Sequence, residues 1–471
     1  MGTKELFQNA AAHASRFRDM ASSRAHRPTR DYAGSVAVFD GPLPARSTDM
    51  GAVLDDLVAR AEPGLSMMTG ARFFGWVIGG SHPMGVAADF LTSAWGQNTG
   101  NHVATPSAAA AETIAARWLL ELLGLPRESS VGFVTGATVA NFTCLAAARG
   151  EVLRRAGWGV DAKGLFGAPE ITVLIGDDAH TTIFSALQFL GLGHDRVVRV
   201  STDDQGRILP LAFSAAMSRV SGPSIAILQA GQINTGGCDD FRTLVPIAKA
   251  RGAWVHVDGA FGLWAQASPR LRHLTDGVEM ADSWATDGHK WLQTPYDCGY
   301  AIVRDEVAHR RAMTIAASYL PLAGEGERDP SHYVPELSRR ARGFATWAMI
   351  RHLGREGIEA MIERACDVAA FMAEGLARQN GIAVVNAVTL NQIIVRFGEG
   401  LPAERADDLT RRTIALIQSD GLIFAGGAMW RGRQVMRLSV SNYQTDRAQA
   451  NMALEAIVSA YRAVSGAADK A

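Results

Sequence analysis

The sequence predicts an α/β fold with a mainly parallel sheet covered by helices, followed by a smaller C-terminal α+β domain. Two observations carry this. Between about residues 131 and 305, short apolar runs alternate with helical segments. The runs are "VGFVT" (131–135), "ITVLIG" (171–176), "RVVRV" (196–200), "SIAILQA" (224–230), "AWVHVDG" (253–259) and "CGYAIV" (298–303). Runs so short and so continuously apolar fit strands buried on both faces. Their alternation with helices points to a parallel sheet. A further short strand ahead of Lys290 makes the number seven.

The second observation is a change of texture after about residue 345. Helical stretches in "FATWAMIRHLG" and "GIEAMIERACDVAAFMAEGLARQ" lead to a strand, "LNQIIVRFG". A helix near 407–419, a hairpin through "AMWRGRQVMRLSVSN" and a closing helix complete the chain. The expected divisions are therefore 1–95, a helical segment; 96–345, the large α/β domain; and 346–471, the small domain.

Individual elements have physical signatures. In the first segment Leu6, Phe7, Ala10, Ala14 and Phe17 recur at helical spacing. They predict an amphipathic helix whose apolar side needs a partner, in this subunit or in a second one. In "TPSAAAAETIAARWLLELLGLP", Thr105 suits an N-cap and Pro106 the first helical position. Gly124 suits the position after the helix, and Pro126 prevents continuation.

Composition narrows the function. The 471 residues carry 46 basic and 47 acidic side chains, so no charge field favours nucleic acid or an anionic membrane. The cysteines, Cys144, Cys238, Cys298 and Cys366, are scattered without a CxxC pair. That suits a reducing compartment, the cytoplasm, and suggests no zinc site. No uncharged apolar run reaches the roughly eighteen residues of a membrane helix. The charged N-terminus lacks the apolar core of a secretory signal.

Polar residues at strand ends carry the chemistry, because ligands of such sheets gather at the carboxyl ends of the strands. Asp258 closes the strand "WVHVD", and an acid there needs a cationic or hydrogen-bonding partner. Lys290 follows 32 residues later, in "DGHKW". The two could form a plain salt bridge. They could instead hold pyridoxal phosphate, the lysine as a Schiff base and the acid against the ring nitrogen. In "FVTGATVANF" a strand ends at Thr135, Gly136 follows, and a helix begins near Thr138. Backbone N–H groups at that start favour an anion, and Gly136 allows close approach. His289 is a second candidate phosphate donor. His180, after "ITVLIGDD", could stack on a flat ring or simply bond backbone. Asn234, Thr235 and Asp239 fall near the same edge. No GxGxxG or GxxxxGK[ST] loop supports a nucleotide site.

The ordered motifs "ARFFGWVIGGSHP", "TGATVANFTCLAAAR", "DDAHTTIFSALQFLG", "GQINTGGCDDF", "HVDGAFG", "DGHKWLQTPYDCG" and "MRLSVSNYQT" resemble those of the group II pyridoxal-phosphate-dependent amino acid decarboxylases. The resemblance implies a fold-type I enzyme and an obligate homodimer with its sites at the subunit interface. It matches Lys290 to the lysine that binds the cofactor and Asp258 to the pyridinium partner. His180 matches the ring-stacking histidine. Gly136, Ala137, Thr138 and His289 match phosphate-site positions and Ala260 the other side of the ring; Asn234, placed near the same edge by its strand, is a further candidate cofactor contact. Tyr333 falls near the family's loop tyrosine, which protonates the product. Asp287 departs from the pattern, since some relatives carry asparagine there. A carboxylate beside a phosphate repels it unless neutralised, so Asp287 is expected to bond His289 or backbone.

The implied reaction is decarboxylation of an L-amino acid to the amine and carbon dioxide. Phe73, Phe74 and Trp76 either line an aromatic or hydrophobic substrate site or belong to the core. Arg437 keeps an aminotransferase in play, because a bidentate arginine grips a carboxylate. The same residues are compatible with a carbon–carbon lyase and with a non-catalytic protein of the cofactor-binding fold.

Overall fold

The computed structural model describes residues 1–314 and 327–468. The chain packs into two units. One comprises Met1–Gly80, Phe371–Val385 and Ile394–Ala471; the other comprises Ser81–Ala370 and Asn386–Ile393. The cuts thus lie elsewhere than residues 95 and 345. Local contacts explain the difference. His82 N–H donates to the Gln293 carbonyl at 2.9 Å, and Arg340 pairs with Asp89 at 2.7 Å. Both contacts bind the helix Pro83–Trp95 into the large unit. Residues before it belong to the other unit, where Phe74 N–H donates to the Phe424 carbonyl at 2.8 Å.

The large unit is built on seven strands: β1 Ser130–Val134, β2 Thr172–Gly176, β3 Val198–Val200, β4 Ser224–Gln229, β5 Trp254–Asp258, β6 Ser283–Asp287 and β7 Gly299–Val303. Their spatial order is β1-β7-β6-β5-β4-β2-β3. Strands β3, β2, β4, β5 and β6 pair in parallel, while β7 runs antiparallel to both β6 and β1. With β7 alone reversed, β1 points the same way as β6. The carboxyl ends of β1, β2, β4, β5 and β6 therefore share one edge. At that edge Gly299, which opens β7, sits in register between Val134 and Asp287.

Large aromatic side chains fill the sheet's surroundings. Trp254, Trp264, Trp284, Trp291, Tyr300 and Phe133 are all fully buried. Buried indole N–H groups need acceptors. Trp254 finds Ser283 Oγ at 2.9 Å, Trp284 the Val278 carbonyl at 2.8 Å, and Trp264 the Asp287 carbonyl at 3.1 Å. The helix Pro106–Leu122 forms as expected, with Gly124 at φ 60°, but Thr105 makes no side-chain capping bond. The helix Arg342–Ala377 breaks its geometry at Gly354, between the two predicted helical stretches.

The smaller sheet has the order β10-β11-β9-β8, from β8 Ile382–Val384, β9 Gln392–Phe397, β10 Gly426–Trp430 and β11 Arg433–Ser439. The β10–β11 hairpin turns through Arg431 and Gly432, both at positive φ, the geometry of a two-residue hairpin loop. Strand β8 was absent from the sequence expectation, being only three residues long. Arg437 lies on this hairpin opposite Gly426. Phe73 and Phe74 are core residues of this unit, and Phe73 stacks on Phe424 at 4.6 Å. Trp76 lies half-exposed, its ring 5.0 Å from that of Phe424.

One glycine tests the packing of β1. A Cβ on Gly132 would lie 2.1 Å from the Tyr333 carbonyl oxygen. Gly132→Ala should therefore lower unfolding stability by about 2 kcal/mol, as overpacking of a close contact does. Urea denaturation measures this, and an unchanged midpoint would contradict the packing.

Candidate active site

The shared strand edge carries a cavity of about 310 Å³ in the large unit. Thr135, Gly136, Ala137 and Thr138 line it from the turn after β1, and His180 and Thr182 from beyond β2. Gln229, Gly231 and Ile233 come from the end of β4, and Asp258, Ala260 and Phe261 from the end of β5. Asp287, His289 and Lys290 follow from β6.

Lys290 is nearly buried, with its side chain 16 % exposed, and its Nζ lies 2.9 Å from Asp287 Oδ2. The other carboxylate oxygen, Oδ1, accepts from the Ala137 N–H at 2.6 Å and lies 3.5 Å from His289 Nε2. Asp287 thus bonds backbone, as the sequence suggested for an acid at this position. The same N–H opens the helix Ala137–Arg155, where the partial positive charge of the helix end is greatest.

Two histidines are oriented by backbone. His180 precedes the helix Thr181–Phe189 and caps it: Nδ1 accepts from the Thr182 N–H at 3.3 Å. An Nδ1 that accepts is unprotonated, which leaves the ring proton on Nε2. His289 behaves alike, with Nδ1 accepting from the Cys298 N–H at 3.2 Å. Burial first, and then the Lys290 charge, lower the His289 pKa, while Asp287 opposes them. Burial pushes the Asp258 carboxyl up, and electrostatic attraction to His180 and Lys290 pulls it back. Asp258 Oδ1 also accepts from the Ala260 N–H at 3.3 Å.

The structure brings together Lys290, Asp258, His180, Gly136, Ala137, Thr138, His289 and Ala260. It does not bring in Asn234. That residue is buried in the turn after β4, its N–H donating to Gln232 Oε1 at 2.6 Å, and Gly231 and Ile233 of the same turn line the cavity instead. Nor does it bring in Tyr333, whose hydroxyl donates to Glu306. The ring packs at 4.2 Å from the Arg328 guanidinium, and His309 Nε2 donates to the Tyr333 carbonyl at 2.9 Å. These contacts lock Tyr333 beneath β1, a tertiary arrangement that a motif position does not encode.

Sequence reasoning missed Thr182, Gln229, Gly231, Ile233 and Phe261. Each lies at or past the carboxyl end of a strand that was legible, and Gln229 closes β4 as Asp258 closes β5, so the rule that found Asp258 would have found Gln229.

The residues fit a cofactor with an aldehyde, a flat ring and a phosphate. A buried amine meets the first, and an acid and an imidazole flank the second. The third has a cradle in which a Cβ on Gly136 would lie 3.0 Å from His289 Cε1. Such a set of groups defines a pyridoxal phosphate enzyme. Comparison with known proteins agrees. The conserved domain of pyridoxal-dependent decarboxylases matches residues 35–397, and the chain belongs to that family. It is a pyridoxal-phosphate-dependent carboxy-lyase of amino acids. An aromatic-L-amino-acid decarboxylase of Bacillus atrophaeus is 26% identical, over 79% of this chain and 78% of its own. An L-2,4-diaminobutyrate decarboxylase of Rhizobium meliloti (strain 1021) is 27% identical, over 97% and 92%. Among solved structures, Oryza sativa TDC with PLP and tryptamine superposes with a TM-score of 0.90 at 22% identity, covering 98% of this chain and 97% of that one. The likeness in fold bears out the fold-type I, seven-stranded expectation.

The Gly136 cradle makes a prediction. Gly136→Ala should weaken cofactor binding about tenfold, or about 1.4 kcal/mol, because the new methyl presses on His289 and Asp287. Titration of the cofactor absorbance band measures it. Wild-type affinity in the variant would contradict the cradle.

Proposed function

We propose that this enzyme decarboxylates an aromatic or otherwise hydrophobic L-amino acid at the cavity around Lys290. The observation that carries the reading is the convergence of Lys290, Asp258 and His180 on one cavity at the sheet edge. Pyridoxal phosphate, when bound, supplies an aldehyde that condenses with amines and a ring that takes up the electron pair of a broken bond. The rest is the work of side chains. Lys290 presents the amine that would hold the cofactor's aldehyde. Asp258, made more basic by burial, holds a proton against the ring nitrogen. His180, fixed by its capping bond, flanks the ring with its Nε2 proton. The N–H groups of the Ala137 helix start and the His289 Nε2–H receive the phosphate.

Ile233, Ala260 and Phe261 make part of the wall apolar. A substrate carboxylate beside such a wall is poorly solvated, which favours its loss as neutral carbon dioxide. The preference for an aromatic substrate also draws on the names of relatives, including tryptophan and tyrosine decarboxylases. A second reading, a small basic substrate, is favoured by the near-complete coverage of the diaminobutyrate decarboxylase.

A homodimer accompanies this reading. The N-terminal helix Thr3–Asp19 has no buried residue. Beyond it Tyr32 is 85 % exposed and Leu43 93 % exposed, with Phe39, Val53 and Leu57 also exposed. So many exposed apolar side chains in one N-terminal segment call for a covering partner, and a second copy supplies one. The four free cysteines suit a cytoplasmic setting, and no described helix is long and apolar enough to cross a membrane.

Purified protein should be yellow, and borohydride should fix the chromophore to a peptide containing Lys290. Lys290→Ala should lose that adduct and at least a thousandfold in turnover. On a panel of L-amino acids, aromatic substrates should release carbon dioxide and the amine at the highest kcat/KM. Highest kcat/KM with 2,4-diaminobutyrate would favour the second reading. Keto acid without carbon dioxide would sink both. Light scattering should give twice the chain mass, and a monomer that retains full activity would remove the dimer.

A further inference from the structure

We propose that Asp287 is an internal anion standing in the phosphate cradle, which sets cofactor affinity by competing with the phosphate group. The inference rests on the reading of the cavity as the pyridoxal phosphate site and adds a role for a residue that reading does not use.

Asp287 cannot easily leave. Its N–H donates to the Ala260 carbonyl at 3.0 Å, and its carbonyl accepts from Trp264 Nε1 at 3.1 Å. The side chain is hemmed in by glycines. A Cβ on Gly299 would lie 3.0 Å from Asp287 Oδ1, and one on Gly136 would lie 3.3 Å from it. Asp287 is 2 % exposed, so solvent screens its charge poorly.

The groups that neutralise Asp287 are those a phosphate needs. Ala137 N–H donates to Oδ1 at 2.6 Å, and His289 Nε2 lies 3.5 Å away. His289 contributes a dipole rather than a full charge, since its Nδ1 already accepts from the Cys298 N–H. Lys290, 2.9 Å from Oδ2, is the full cation. A cofactor held through Lys290 would engage that amine and take it from Asp287. The carboxylate and the phosphate then share the same dipolar donors, and like charges so close disfavour each other. Phosphate-bearing ligands bear this repulsion, and phosphate-free ones do not.

Equilibrium binding of pyridoxal phosphate and of pyridoxal, to wild type and to Asp287→Asn, tests the proposal. Both ligands react with Lys290, so any change in lysine availability affects them alike, and their affinity ratio isolates the phosphate. Asp287→Asn should bind pyridoxal phosphate at least tenfold tighter while its affinity for pyridoxal changes less than threefold. Inorganic phosphate should likewise compete at lower concentration. A melting curve checks folding. Asp287→Ser, which keeps an uncharged acceptor for the Ala137 N–H, replaces the asparagine variant if that one fails to fold. An unchanged ratio, or a parallel loss of both ligands, would overturn the proposal and leave the cofactor site intact. Failure of the wild type to bind either ligand would overturn the reading of the cavity itself, and the proposal with it.

Discussion

One buried carboxylate holds the working edge of the sheet together. Asp287 ends β6, yet its side chain reaches across the opening of β7 to the first N–H of the helix that follows β1. The same group pairs Lys290. A helix start 150 residues away and a lysine three residues on thus meet at its two oxygen atoms. Removing the acceptor would strand a buried ammonium and a helix-end N–H, a loss of about 3–5 kcal/mol for a broken buried pair. At Gly299 no side chain fits, since a Cβ would lie 2.5 Å from Gly136 Cα, and at Gly136 a Cβ would press on His289 and that carboxylate.

Sheet topology explains why so many polar groups converge there. With β7 alone reversed, the carboxyl ends of β1, β2, β4, β5 and β6 lie on one side. The ends deliver different groups: N–H donors after β1, an imidazole after β2, an amide at β4, an acid at β5, and an acid, imidazole and amine from β6 onward. Burial then tunes them. Desolvation raises the Asp258 pKa and lowers that of His289, so the carboxyl becomes more basic and the imidazole stays neutral. These opposite shifts suit a carboxylate that holds a proton on a ring nitrogen and a histidine that donates one hydrogen bond without a charge.

Much of this was legible in the chain. Six apolar runs marked six strands to within two residues; five of them are buried on both faces and have little choice but to be continuously apolar, while β3 at the sheet edge exposes Val198 and Arg199. Asp258, His180 and Lys290 stood out because polar residues near the ends of such runs need a reason, and Gly136 because it opens a strand-to-helix turn to close approach. The short β8 and the interleaved division of the chain did not stand out. Neither has a local signature: β8 is defined by its pairing with β9, and the units by which distant segments pack together. Tyr333 shows the same limit from the other side. Its place in a motif suggested chemistry, but Glu306, Arg328 and His309 hold it beneath β1.

The sequence by itself determined the fold class, because strand periodicity is a local property, and it pointed to the cofactor and to most of the residues of the cavity through strand-end chemistry together with the family resemblance of its motifs. The tertiary structure alone decided what Asp287 does. From the chain it was an anion three residues before a lysine, at odds with a phosphate nearby. Only the packing of β1, β7 and β6 brings it to the Ala137 N–H, because the donor that satisfies it lies 150 residues away. The same packing left Asn234 and Tyr333 outside the cavity and admitted Gln229, Ile233 and Phe261, for a side chain's neighbours across a sheet are set by strand order and not by spacing along the chain.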